Sequence, residues 1–136
     1  MDSTEAAIHS RWKSIGFDAL LPEEQGYVAV WWFAIEVNNG GFDQYFHNNS
    51  GDSALLALDA LEQSGAKETS SLLSKALCAF EPVGGYVAGR KKRIKLLGEL
   101  PADHFDTLDS QFYAGQEAFM SKVLSRVTQA KAHAEV

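Results

Sequence analysis

Apolar residues recur at helical spacing along nearly the whole chain. Ile8, Trp12 and Ile15 fall at i, i+4 and i+7, with Asp2 or Ser3 placed to cap and Gly16 placed to stop, which predicts a helix over about residues 3 to 15. Leu21-Pro22-Glu23-Glu24 opens a second helix, since proline is tolerated in a first turn and acids suit the positive end of the helix dipole. This helix, about 22 to 37, includes YVAVWWFAI, nine apolar residues in succession from Tyr27 to Ile35. A helix apolar on every side belongs at the centre of a fold. Leu55, Leu58 and Leu61 mark a further helix stopped by Gly65. Leu72, Leu73, Ala76, Leu77 and Phe80 form the inward stripe of a helix over about 66 to 80, broken by Glu81-Pro82-Val83-Gly84-Gly85. A helix over about 88 to 97, a segment opened by Pro101 that carries Phe105, Leu108 and Phe112, and a last helix marked by Phe119, Val123, Leu124 and Val127 complete the pattern. No alternating strand pattern, repeat or long linker interrupts it. The pattern predicts one compact all-α domain over 1–136, of about six to eight helices around the central apolar helix, with a frayed tail over 130–136.

Between the central helix and the next lies Glu36-Val37-Asn38-Asn39-Gly40-Gly41-Phe42-Asp43-Gln44-Tyr45-Phe46-His47. Asn and Gly accept the left-handed backbone that helix ends require, so Asn38 to Gly41 should end the central helix, and Phe42 to His47 should form a short one. Glu36, one turn after Trp32, is costly to bury unless it is hydrogen-bonded. It could reach back to the unsatisfied N–H groups at the start of the short helix. Asn38 and Asn39 could serve the orphan carbonyls of the preceding helix. Gln44 could bond across the joint, with Phe42, Tyr45 and Phe46 packed on both sides. This polar cluster reads as a structural knot that sets the angle between two helices.

Composition changes the picture little. The chain has 136 residues, 46% of them apolar, enough for a real core and too apolar for disorder. Cys78 is the only cysteine, which excludes an internal disulfide; beside Leu77 and Phe80 it is expected to be partly buried and inert. The start, MDSTEAA, is unlike a signal peptide, and nine apolar residues are too few to cross a bilayer, so a soluble cytoplasmic protein that does not engage membranes is expected.

Charge changes it more. The net charge is -6, and no Lys or Arg occurs between Lys13 and Lys67, a stretch holding Asp18, Glu23, Glu24, Glu36, Asp43, Asp52, Asp59 and Glu62. Five cations crowd into Arg90-Lys91-Lys92-Arg93-Ile94-Lys95. The molecule is electrically lopsided.

The stretch EVNNGGFDQYFHNNSGD, with ALEQSGAKETSSLLSKAL and FDTLDSQFYAGQEAF further on, resembles the DNA-mimic-protein family over about residues 20 to 128. The resemblance rests on positions Glu36, Asn39, Gly40, Gly41, Phe42, Gln44, Tyr45 and Phe46, whereas Asp43 and His47 fall where the family pattern leaves the residue open. It implies an all-α fold of a small acidic bacterial domain. It also implies a role in which acidic side chains imitate DNA phosphates and occupy the DNA-binding surface of another protein. It carries over no catalytic residue and no cofactor.

The expected function is therefore a non-catalytic binding module for a basic DNA-binding protein or transcription regulator. Asp18, Glu23, Glu24, Asp52, Asp59 and Glu62 would form the acidic face. The simpler reading of those acids is a solvated surface that keeps the domain soluble. An alternative is an enzyme, or a metal or small-ligand site, built on the Glu36, Gln44 and His47 region. Asp43 and His47, four apart, share a helical face there. No metal ligand set is assigned, because His9, His104 and His133 show no ligand spacing. The basic run could bind nucleic acid, but an acidic domain makes a solvated helix face, or one paired with Asp103 and Asp106, the better reading. Direct nucleic-acid binding is not expected. The run could instead dock on the acidic half of a second copy, giving a homodimer.

Overall fold

The computed structural model of the chain describes residues 2–134. Among them are seven α-helices and no strand: α1 (Ser3–Ile15), α2 (Pro22–His47), α3 (Ala54–Gln63), α4 (Lys67–Cys78), α5 (Arg90–Leu97), α6 (Asp106–Ala114) and α7 (Phe119–Ala134). Short 3-10 turns fill several of the connections. The all-α class and the order of helices expected from the pattern are those observed.

α2 is the axis of the fold and packs against α3, α5, α6 and α7. Val28, Val30, Phe33 and Val37 along it are all buried. One stripe differs from the expectation of burial on every side: Trp32 keeps 37% of its surface exposed and Ile35 keeps 40%. α3 does not pack through Leu55, which is 60% exposed, but through Ala54, Ala57, Ala60 and Leu61. The small residues allow a close crossing. A Cβ on Gly26 of α2 would lie 2.9 Å from the Ala60 Cβ, so a larger side chain at either position would force the helices apart.

Aromatic rings fill the middle. Phe46 lies 5.0 Å from Phe80, 5.6 Å from Phe105 and 6.4 Å from Phe42, measured between ring centroids. This cluster ties the end of α2 to the end of α4 and the entry to α6 through edge and tilted contacts worth more than their area alone. Cys78 does not join it. The inward stripe of α4 is Thr69, Leu72, Leu73, Ala76 and Leu77, and the residue after Leu77 is rotated by about 100° away from that stripe. Cys78 is thus exposed, not partly buried as the sequence suggested.

At the other end of α2, Glu24 is fully buried. Its Oε1 accepts from the Leu21 N–H at 3.0 Å, and its Oε2 meets Arg11 Nε of α1 at 3.1 Å and Lys131 Nζ of α7 at 3.2 Å. A glutamate three residues after the residue that opens the helix is half of a capping box, which is why it turns inward to its own backbone. The Lys131 contact also corrects the expected fraying after Gln129. With a side chain tied to a buried acid, α7 continues to Ala134; residues 135 and 136 lie outside the described residues.

Burial works against the Glu24 charge, but the Leu21 N–H, Arg11 and Lys131 outweigh it and hold the carboxyl below its ordinary value near 4.5. A depressed carboxyl contributes stability that is complete above the unfolded value and is lost as pH falls through the folded one. The wild type should therefore lose stability as pH drops below about 4.5, the ordinary carboxyl value. Glu24→Gln should flatten that acid limb while lowering stability at neutral pH by roughly 1–3 kcal/mol, since the Arg11 and Lys131 charges lose their partner but stay partly solvated. Urea melts at about pH 3.5, 5 and 7 on both proteins read this, since these values bracket the ordinary carboxyl value near 4.5. Parallel pH profiles would contradict it.

Candidate functional site

The joint between the two parts of α2 is built from residues the sequence singles out, arranged partly otherwise than expected. Helical geometry holds as far as Asn39. It breaks at Gly40 (φ -154, ψ 18) and Gly41 (φ 77, ψ -177) and resumes at Phe42. Gly41 occupies a backbone region that side chains with a Cβ rarely adopt. Phe42, Tyr45 and Phe46 are completely buried.

Glu36 does not cap the new helix start. Its Oε2 accepts from Gln44 Nε2 at 2.7 Å and from Asn48 Nδ2 at 2.8 Å, so it laces the two arms of the bend through side-chain amides. The Phe42 N–H is taken instead by Asp109 of α6, whose Oδ1 lies 2.8 Å away. Burial, with the neighbouring Asp106 and Asp43 charges, raises the Asp109 carboxyl above its usual range, against the lowering effect of the Phe42 N–H. The last carbonyls before the break are served as much by α6 as by the asparagines. Tyr113 OH donates to Val37 O at 2.7 Å, Asn38 Nδ2 donates to Ala34 O at 2.8 Å, and Asn39 Nδ2 reaches only Gln44 Oε1 at 3.4 Å.

The C-terminus of α2 is closed by α5. Arg93 is fully buried. Its Nε donates to Phe46 O at 2.6 Å, Nη1 to Ala88 O at 2.6 Å, and Nη2 to Asn48 O at 2.9 Å and to Asp52 Oδ1 at 2.8 Å. Arg90 Nε donates to His47 O at 3.0 Å. Two guanidinium groups thus occupy the negative end of the α2 dipole, where the Phe46 and His47 carbonyls lack helical partners and the Asn48 carbonyl also accepts from the Gly51 N–H at 3.1 Å. The run Arg90 to Lys95 is therefore not a uniformly solvated basic face. Arg93 is a core residue, and the acid it pairs with is Asp52, not Asp103 or Asp106.

Trp32, Glu36, Asn48, Asn49, Ser50 and Arg90 line an open cleft of about 530 Å³ beside the bend. Asp43 and His47 are exposed and do not line it, so the Glu36, Gln44 and His47 region does not converge in one concavity. Among the described residues no three His, Cys, Asp or Glu side chains come together as metal ligands.

The acids expected to form one face are divided. Asp18, Asp59 and Glu62 are exposed, and Glu23 is half-buried. Glu24 is withdrawn into the interior and Asp52 is engaged by Arg93, which removes the first from any surface and neutralises the second. Gly26 of α2 meets Ala60 of α3, the neighbour in sequence of Asp59. The two interior charges had a signal in the sequence. Arg93 stands three and four residues before Leu96 and Leu97, and Glu24 three and four before Tyr27 and Val28. Each shares the buried face of its helix.

A family model described as DMP19-like protein matches residues 18–132. No curated protein and no solved structure matches the chain. Among the described residues no helix is long and apolar enough to cross a membrane.

Proposed function

This chain belongs to the DMP19-like family, and from that premise we propose that it is a DNA-mimic module that binds a basic DNA-binding protein, such as a transcription regulator, in place of DNA. The family match over residues 18–132 is the observation that carries the reading. The charge pattern supports it: from Lys13 to Lys67 the chain has acids and no Lys or Arg, and Asp18, Asp59 and Glu62 of that stretch are exposed. Glu23, half-buried near the start of α2, would join them; Glu24 and Asp52, engaged in pairing, would not. Cationic side chains that hold DNA phosphates in a regulator would meet carboxylates here, and the attraction would be screened by salt.

The test is capture of partners on the immobilised protein at low salt, followed by titration of a captured DNA-binding protein. Its binding should be displaced by its own DNA and should weaken with rising salt. Reversal of Asp18, Glu23, Asp59 and Glu62 to lysine together should weaken it by at least about tenfold, with the thermal melt retained. Affinity that survives both high salt and the reversals would end the mimicry reading.

A further inference from the structure

We propose that the cleft beside the bend is a binding site for a free aromatic α-amino acid, held as its zwitterion. The inference is independent of the acidic face, since Glu36 and Arg90 lie outside it.

The cleft sets one carboxylate and one guanidinium around the same space without pairing them; Glu36 and Arg90 both line it and form no salt bridge with each other. Each is held in place from behind. Glu36 takes its two amide donors on Oε2, and among the described residues no donor reaches its Oε1. Arg90 is pinned through Nε to His47 O at 3.0 Å, and among the described residues its Nη1 and Nη2 have no acceptor. Two opposite charges that are fixed, adjacent to one cavity and unneutralised are complementary to a ligand that carries both signs.

Other simple ligands leave one charge opposed. A phosphate or carboxylate alone would face Glu36, and a cation alone would face Arg90. A zwitterion meets both, its ammonium on Glu36 and its carboxylate on Arg90. The rest of the lining agrees. Ser50 Oγ is buried without a hydrogen-bond partner, and a turn about its side-chain bond offers the hydroxyl to the same carboxylate. Asn49 adds an amide at the rim. Trp32, 37% exposed and one turn before Glu36, supplies a ring face for an aromatic side chain to stack against in offset fashion. A volume of about 530 Å³ lies within the usual range for small-molecule sites.

The experiment is titration of isotope-labelled protein with L-phenylalanine, N-acetyl-L-phenylalanine and L-phenylalaninamide, followed by amide and indole resonances. L-phenylalanine should bind with a dissociation constant on the order of 0.1–1 mM, about what an efficient ligand of roughly a dozen heavy atoms reaches. The shifts should be confined to Trp32, Glu36, Asn48 to Ser50 and Arg90. Each capped analogue, having lost one charge, should bind at least about tenfold more weakly. Arg90→Ala, at an exposed position, should weaken the amino acid and leave phenylalaninamide unaffected, a pattern that loss of folding could not produce. Equal binding of the capped analogues, shifts elsewhere on the molecule, or no shift at about 10 mM L-phenylalanine would overturn the proposal.

Discussion

Arg93→Met should destabilise the domain by about 3–5 kcal/mol, a large share of the stability of a chain this size. Methionine can fill part of the volume of the arginine stem but returns none of its hydrogen bonds. Phe46 O and Ala88 O would be left without the donors that now reach them, and Asn48 O would keep only the Gly51 N–H at 3.1 Å. The first two are backbone acceptors at or beside the end of a helix, where no ladder bond compensates. Arg93→Lys separates charge from geometry. It keeps the positive charge near Asp52 but cannot span acceptors that the guanidinium reaches with three different nitrogens, so it should recover only a minor part of the loss. Urea or thermal unfolding of the two variants reads the difference. A lysine variant as stable as the wild type would mean that charge at the α2 dipole, not the hydrogen-bond fork, holds this end of the helix.

Gly41→Val should cost about 2–4 kcal/mol, through two effects that act together. At φ 77 a β-branched residue is strained in any surroundings. In these surroundings a Cβ would also lie 2.5 Å from Asp109 Oδ2, so the carboxylate that caps the Phe42 N–H would have to move. Gly40→Ala is the internal comparison. Its φ of -154 is negative, outside the left-handed region, and its Cβ would strike the Gln44 side chain, both the amide end and the Cβ, the latter at 2.8 Å. The amide end can swing aside at the expense of its bond to Glu36, and a small backbone shift must clear the Gln44 Cβ. The alanine at position 40 should therefore cost clearly less than the valine at 41, measured as the difference in unfolding midpoint. The reverse order would place the strain of the bend at the wrong glycine.

What was legible in the sequence was the part written locally. Helical spacing sets out the succession of helices, the two glycines mark the break, and Gln44 is placed to bond across it, although its partner Glu36 reads from the sequence as a cap for backbone N–H groups. What was misread depended on partners far along the chain. Nothing near Phe42 shows that its N–H belongs to Asp109, 67 residues later, or that the Val37 carbonyl belongs to Tyr113, 76 residues later. Charge was misread for another reason. Glu24 and Arg93 stand in sequence among an acidic stretch and a basic run, although each lies on its helix's apolar face. Position on the helix, more than membership of a charged run, decides whether an ionic group meets water.

The dependence of the bend on α6 has a consequence for the order of events during folding. Both arms of α2 can coil as soon as they are synthesised, since their bonds are local and fast. Until the chain has extended to Asp109 and Tyr113 and that segment has returned to the joint, the angle between them is held only by the local lacing of Glu36 to Gln44 and Asn48. A nascent chain that ends short of residue 109 would carry a hinge with its main-chain groups at Phe42 and Val37 still unsatisfied by α6, and the central aromatic cluster would close only after most of the polypeptide had left the ribosome.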